Sequence, residues 1–242
     1  MKVLSLDIGG TNSRIALIEI NKKPIIKKEK TYMTKDVNDV VSLINSFDKK
    51  TEIAGIGFAG PVLGHKAKLT NANLSIDSLE IRKKTNLKKI YLVNDFYAVG
   101  VGTRFMEKSE LFSINKGPGF KNNVSMTVGA GTGLGKSIII DNKVYACEPG
   151  GTTLTIEDID DYALFDFFKI KYRRIPIYED VLSGKGLIDI YNHLEIQSNQ
   201  KTNMKIRKLI TKEPYYKAQV ITKYSSSDKL CDMTLKIFTK FY

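Results

Sequence analysis

Residues 3–8 set apolar Leu4, Leu6 and Ile8 against Ser5 and Asp7 in alternation, which predicts a strand with one buried face. Strands are likewise predicted over residues 14–20 and 25–32, separated by the turns Gly9-Gly10-Thr11-Asn12 and Asn21-Lys22-Lys23. Val40, Val41, Leu43 and Ile44 fall at helical spacing, so residues 37–47 are expected to form a helix. A strand over 53–58 stops at Ala59-Gly60-Pro61, and a short helix is expected over 78–86. The apolar strand 89–93 closes on Asn94-Asp95, before a helical stretch to about Met106.

The second half opens the same way. A strand over 124–128 leads into Gly129-Ala130-Gly131-Thr132-Gly133-Leu134-Gly135. A strand over 136–140, the tight turn Asp141-Asn142 and a strand over 143–146 follow. The order strand, Gly-Thr loop, strand, turn, strand therefore occurs twice, which implies two related α/β halves facing a cleft. The expected domains are residues 1–106 and 107–242. Beyond Gly151 the pattern turns helical over 160–169, 178–182 and 186–194. Past Ser198 it is ambiguous, with helix expected near 204–210 and 229–241.

Composition narrows the class of protein. The chain has 242 residues, of which 42% are hydrophobic, with 18 Gly and 6 Pro, as in a globular protein able to bury a full core. Cys147 and Cys231 lie far apart with no CxxC pair, so neither a disulfide framework nor a zinc site is expected, and a reducing compartment is. The apolar start is too short for a signal peptide and no stretch reaches the roughly 18 apolar residues of a membrane span. A cytoplasmic protein without a membrane partner is the expectation. The net charge of +12 invites a nucleic-acid reading. However, residues 201–242 carry 10 Lys/Arg against 3 Asp/Glu, so +7 of it lies in that segment, and a second cluster (Lys22, Lys23, Lys27, Lys28, Lys30) flanks a turn. Solvated faces with attraction for anionic phosphates account for this better than a specific nucleic-acid partner.

The two glycine loops carry the strongest chemical signal. Glycine lets the backbone approach a phosphate, its N–H groups can serve as donors, and Thr11 and Thr132 add hydroxyls. Asp7, at the end of an apolar strand, suits a water-mediated Mg²⁺ contact. Either loop alone is equally a plain hairpin turn; two at equivalent places favour phosphate binding. Ala130-Gly131-Thr132-Gly133-Leu134-Gly135-Lys136-Ser137 also reads as a relaxed Walker A motif, but that motif needs a helix starting at the lysine, and the residues after Lys136 are β-branched and hairpin-like. Asn94-Asp95 sits where α/β strands present ligand-binding groups, and one carboxylate suffices to deprotonate an alcohol for phosphoryl transfer. Its bland alternative is helix capping.

Leu4-Ser5-Leu6-Asp7-Ile8-Gly9-Gly10-Thr11-Asn12-Ser13-Arg14 resembles the first phosphate motif of bacterial glucokinases. Val93-Asn94-Asp95-Phe96-Tyr97-Ala98 resembles their catalytic segment, and residues 129–135 their second phosphate motif. Leu69-Thr70-Asn71 and Glu179-Asp180-Val181-Leu182-Ser183-Gly184-Lys185-Gly186-Leu187 are similar to their sugar-side motifs. The resemblance runs in order from residue 2 to about 194. It implies an actin-like ATPase fold, with two ribonuclease-H-like α/β domains around a cleft, and ATP-dependent phosphorylation of the 6-hydroxyl of glucose or a related hexose. In that scheme Asp95 is the general base, and Asn71, Asn94, Asp95, Glu148, Thr152 and Glu179 face the sugar. Gly9, Gly10, Thr11, Asn12, Gly131, Thr132 and Gly133 hold the ATP phosphates, with Asp7 beside Mg²⁺.

Two departures from the family follow. Its Gly-Glu-Gly-Gly-His segment corresponds here to Cys147-Glu148-Pro149-Gly150-Gly151-Thr152, with Pro149 at the Glu position, Thr152 at the His position and Glu148 displaced by one. Weak glucose binding is therefore expected. Family members also continue past the region matching residues 235–242 into an adenosine-holding segment. An incomplete second domain, poor base selectivity and a homo-oligomer covering Ile237, Phe238, Phe241 and Tyr242 are accordingly expected. A catalytically degenerate sugar- or phosphate-binding sensor or subunit of the same fold is the alternative function.

Overall fold

A computed structural model of the chain describes residues 1–21, 23–69, 74–115, 123–197, 203–212 and 217–242. It comprises two compact units: Met1–Thr127 with Ser137–Cys147, and Val128–Lys136 with Glu148–Tyr242.

The first unit is built on strands β1 (Lys2–Ile8), β2 (Asn12–Ile20), β3 (Pro24–Met33) and β4 (Ile53–Phe58). Helix α1 (Val40–Phe47) precedes β4. The short strands β5 (Val62–Leu63), β6 (Lys66–Lys68) and β7 (Ser75–Asp77) follow it, then helix α2 (Ser78–Lys84), strand β8 (Lys89–Asn94) and helix α3 (Asp95–Gly102). The main sheet has the order β3-β2-β1-β4-β8. β2 runs antiparallel to β1 and β3, and β4 runs parallel to β1 and β8. The alternation seen in β1 is realised: Leu4, Leu6 and Ile8 are at most 2% exposed, and Ile15, Ala54, Ile56 and Phe58 are fully buried with them. Each such large side chain contributes roughly 1.5–3 kcal/mol by leaving water.

That core fixes the strand register, and the register fixes the site. Ile8 pairs with Phe58, and Phe58 with Asn94, so three parallel strands end together at one sheet edge. In open α/β sheets this carboxyl edge is where ligands bind.

The helix expected over 37–47 begins later. Asp39 accepts hydrogen bonds from the Val41 and Ser42 N–H groups at 3.1 and 2.9 Å, which makes it the N-cap and confines α1 to Val40–Phe47. The β5-β6-β7 sheet was not legible in the sequence, because strands of two or three residues are too short to show a period.

Strands β9 (Val124–Ala130), β10 (Leu134–Ile140) and β11 (Lys143–Cys147) form a sheet in the order β11-β10-β9, the same order as β3-β2-β1. The repeat inferred from the loops is thus present in the strands. The second unit takes from this sheet only the hairpin tip Val128–Lys136 and is otherwise mainly helical: α4 (Tyr162–Tyr172), α5 (Tyr178–Val181), α6 (Gly184–Gln197), α7 (Met204–Lys212), α8 (Lys217–Lys223) and α9 (Lys229–Phe241). Phe168, Val181, Ile190, Ile221 and Cys231 are fully buried in its core. Burial pushes the Cys231 thiol up to about 12, aided by Asp228.

Candidate active site

In the first unit, Gly9-Gly10-Thr11-Asn12 forms the tip of the β1–β2 hairpin, closed by the Gly9 N–H donating to the Asn12 carbonyl at 3.0 Å. Thr34, just past β3, ties the tip down. Its hydroxyl donates to the Gly9 carbonyl at 2.7 Å and lies 2.9 Å from the Ser13 hydroxyl, and its N–H donates to the Thr11 carbonyl at 2.8 Å. Ser13 and Thr34 are both buried. Two loop carbonyls are therefore satisfied from one residue. Sequence reasoning missed Thr34. The signal was the pairing of β2 with β3, which sets Met33 opposite Asn12 and so brings the next residue beside the loop. Thr34→Val should leave the Gly9 carbonyl and the Ser13 hydroxyl short of a buried partner, at a cost of about 1–3 kcal/mol. Chemical denaturation should register that loss, while Thr34→Ser should restore most of it.

Asp7 lies one residue before the end of β1 and opposite Arg14 of β2. It reaches solvent, yet desolvation by the surrounding chain raises its carboxyl above the ordinary range, with Arg14 acting in the opposite direction. Asp95 is half-buried at the start of α3. Desolvation raises its carboxyl too. The Phe96 N–H, donating to Asp95 Oδ1 at 2.9 Å, opposes the shift, and the charge of Asp7 adds to it. The structure thus brings Asp7 and Asp95 within electrostatic reach of each other.

Asn94 realises the capping role. Its Oδ1 accepts from the Phe96 and Tyr97 N–H groups at 2.9 and 3.2 Å, and its Nδ2 donates to the Gly60 carbonyl at 3.2 Å. Gly60 has φ +147, and a Cβ on it would stand 2.9 Å from the Lys68 carbonyl, so glycine is required there. Asn71 lies outside the described residues.

In the second unit, the other loop is the tip of the β9–β10 hairpin, with the Gly131 N–H donating to the Gly133 carbonyl at 2.8 Å. Thr132 is exposed at its apex. The Gly184 N–H at the start of α6 donates to the Gly131 carbonyl at 2.8 Å, and the Leu134 N–H donates to Glu179 Oε2 at 3.1 Å. Glu148 and Thr152 are both exposed and flank a 3-10 turn over Pro149–Gly151. The Thr152 carbonyl accepts from the Tyr178 N–H at 2.9 Å, which holds this turn next to Glu179. Gly150 of the turn lies against the Glu179 side chain, and Glu179, read from sequence as a sugar-side residue, also contacts the glycine loop.

Lys136 lies within strand β10 and no helix starts there, so the Walker A alternative fails in its structural requirement. Lys136→Ala is expected to leave nucleotide affinity within about twofold of the parent. Titration with AMPPNP decides it: a P-loop lysine would lose most binding.

A glycine hairpin on a β3-β2-β1-β4-β8 sheet, with a second hairpin repeating the same strand order, defines the actin-like ATPase fold of the sugar kinases. The chain belongs to the glucokinase family, which it matches over residues 4–242. It is 30% identical to the glucokinase of Nostoc sp. over 233 residues, covering 90% of this chain and 65% of that protein. Over 246 residues it is 31% identical to the glucokinase of Campylobacter jejuni subsp. doylei, covering 97% and 70%. Its fold is also that of a ROK family glucokinase from Streptomyces griseus solved in complex with glucose and AMPPNP, at 17% identity and TM-score 0.67, covering 100% of this chain and 76% of that one. The chain spans between 60% and 65% of the length of the first curated relatives it matches. Among the described residues, no helix is long and apolar enough to cross a membrane.

Proposed function

We propose that the protein phosphorylates the primary hydroxyl of glucose or a related hexose, with ATP as phosphate donor. The observation that carries this reading is Asp95. It is a half-buried carboxylate with its proton affinity raised, at the carboxyl edge of the sheet, in the electrostatic reach of Asp7 at the foot of a glycine hairpin. In the proposed step, the sugar hydroxyl oxygen attacks the γ-phosphorus while its proton passes to Asp95. The bond from phosphorus to the bridging oxygen breaks, and ADP leaves. A raised pKa suits a general base, because it strengthens proton acceptance.

Backbone N–H groups at Gly9, Gly10, Thr11 and Asn12, and at Gly131, Thr132 and Gly133, would hold the phosphates. By the family resemblance, Asn94, Glu148, Thr152 and Glu179 would contact the sugar. Among the described residues, no group of three or more His, Cys, Asp or Glu side chains could hold a metal by itself. Mg²⁺ is commonly held by one or two carboxylates together with substrate phosphates. Asp7, near the end of β1 beside the first glycine loop, would hold it through water. When bound, the ion would neutralise charge on the transferred phosphoryl group.

Coupled measurement of ADP release across a panel of hexoses tests the reading. Sugar-dependent release is expected with glucose or a close relative. Sugar and nucleotide binding without release would instead identify a non-catalytic sensor.

A further inference from the structure

We propose that Glu179 is the anchor that fixes the conformation of the second glycine loop, a positioning role separate from contact with sugar. The proposal deepens the reading above, since that loop is the one assigned to nucleotide phosphates.

The geometry around Glu179 is that of a slot. Its Oε2 accepts from the Leu134 N–H at 3.1 Å. A Cβ on Gly133 would stand 2.5 Å from that same oxygen and 3.0 Å from the Glu179 Cδ. A Cβ on Gly150 would stand 2.7 Å from the oxygen and 3.1 Å from the Glu179 Cβ. Two glycines on different segments thus make room for one side chain. Neither has a φ in the left-handed region, so their backbones alone do not demand glycine. In the conformation observed, the Glu179 side chain occupies the space a side chain on either glycine would take.

The base of the anchor is itself rigid. α5 is a single turn with the Leu182 N–H donating to the Tyr178 carbonyl at 2.7 Å. Asp180, beside Glu179, is buried, receives two bonds of 2.7 Å from the Arg174 guanidinium, and accepts from the Ile177 N–H at 2.9 Å. Five residues further on, the Gly184 N–H reaches the Gly131 carbonyl. The segment from Glu179 to Gly184 therefore grips the loop at two backbone points.

A glycine-rich loop has more conformational freedom to lose on binding than any other. A hydrogen bond to a charged acceptor, roughly twice as strong as a neutral one, settles that freedom before the ligand arrives. Contact with sugar would explain a carboxylate at position 179, but not the two glycines shaped around it.

Four variants of the full chain test this: Glu179→Gln, Glu179→Ala, Gly133→Ala and the double variant Glu179→Ala/Gly133→Ala. Hydrogen exchange should show the Leu134 amide protected in the parent and in Glu179→Gln, and exposed in Glu179→Ala. Gly133→Ala should lower thermal stability in the parent but much less in the Glu179→Ala background, where the slot is empty; this is the non-additivity of groups in contact. AMPPNP affinity without sugar should fall on the order of tenfold in Glu179→Ala and by clearly less in Glu179→Gln, whose amide oxygen keeps a weaker, neutral bond to the Leu134 N–H. Additive stability effects with unchanged Leu134 exchange would overturn the anchor. So would sugar-free AMPPNP affinity that ignores Glu179→Ala. If the parent bound no AMPPNP at all, the kinase reading would fall, while exchange and the stability cycle would still decide the anchor.

Discussion

Asp95→Asn is expected to lower turnover on the order of 10²–10⁴-fold while changing sugar affinity little. The substitution removes the proton acceptor and almost nothing else. Asn keeps an oxygen for the Phe96 N–H that now donates to Asp95 Oδ1, and α3 keeps its cap, because the cap is Asn94. Steady-state kinetics with separate kcat and KM read the effect directly, and a variant that retains activity would remove Asp95 from the chemistry.

The same residue yields a pH prediction. Its carboxyl is raised in the folded protein, so the folded state holds the proton more tightly than the unfolded chain. The cost of carrying the charge is therefore fully present above the folded pKa. It fades as pH falls through that value and is absent below the unfolded one. Activity should fall on the acid side through the raised pKa as the base becomes protonated. Asp95→Asn should be at least as stable as the parent at neutral pH, and its advantage should disappear on acidification. The reverse trend in thermal unfolding would mean that Asp95 is stabilised as an anion, contrary to its desolvation.

Gly186→Ala should be the most damaging single methyl in the second unit. The added Cβ would lie 2.2 Å from the Val181 carbonyl oxygen and 2.5 Å from that of Asp180, both backbone atoms of the adjoining α5. Backbone cannot yield as a flexible side-chain end can. Relief requires moving α5 from α6, whose Leu187, Ile190, Tyr191 and Leu194 are buried in the core. A loss of about 3 kcal/mol is expected, or a fall in Tm on the order of 6–12 °C for a chain of this size. Gly184→Ala is the control: its Cβ would meet the Gly131 carbonyl at an ordinary 3.5 Å. Equal melting of the two variants would refute the tight joint at Gly186. Because α5 carries Glu179, the damage should extend to the glycine loop.

The strands and most helices were legible in the sequence because each has a strong local cause. β1 alternates, β4 and β8 are short apolar runs stopped at Ala59-Gly60-Pro61 and Asn94-Asp95, and α9 matches its expected span of Lys229–Phe241. The repeated Gly-Thr hairpin was legible for the same reason: turn chemistry is local. Asp7 and Asp95 could be singled out because a carboxylate at the end of an apolar strand needs a reason to be there.

Tertiary structure alone decided how these residues act. No periodicity links Thr34 to Gly9, 25 residues away, or Glu179 to Leu134, 45 residues away. Pairing of β2 with β3 brings the first contact about, and packing of α5 against the hairpin tip brings the second. Burial in the fold desolvated Asp95 and so raised its proton affinity, and the pairing of strand ends through Phe58 added the charge of Asp7 to that effect. Sequence by itself determined which residues could do phosphoryl chemistry, since side-chain type and turn propensity are properties of short segments. Their partners, desolvation and charge environment came only with the fold, because those depend on distances that chain spacing does not encode.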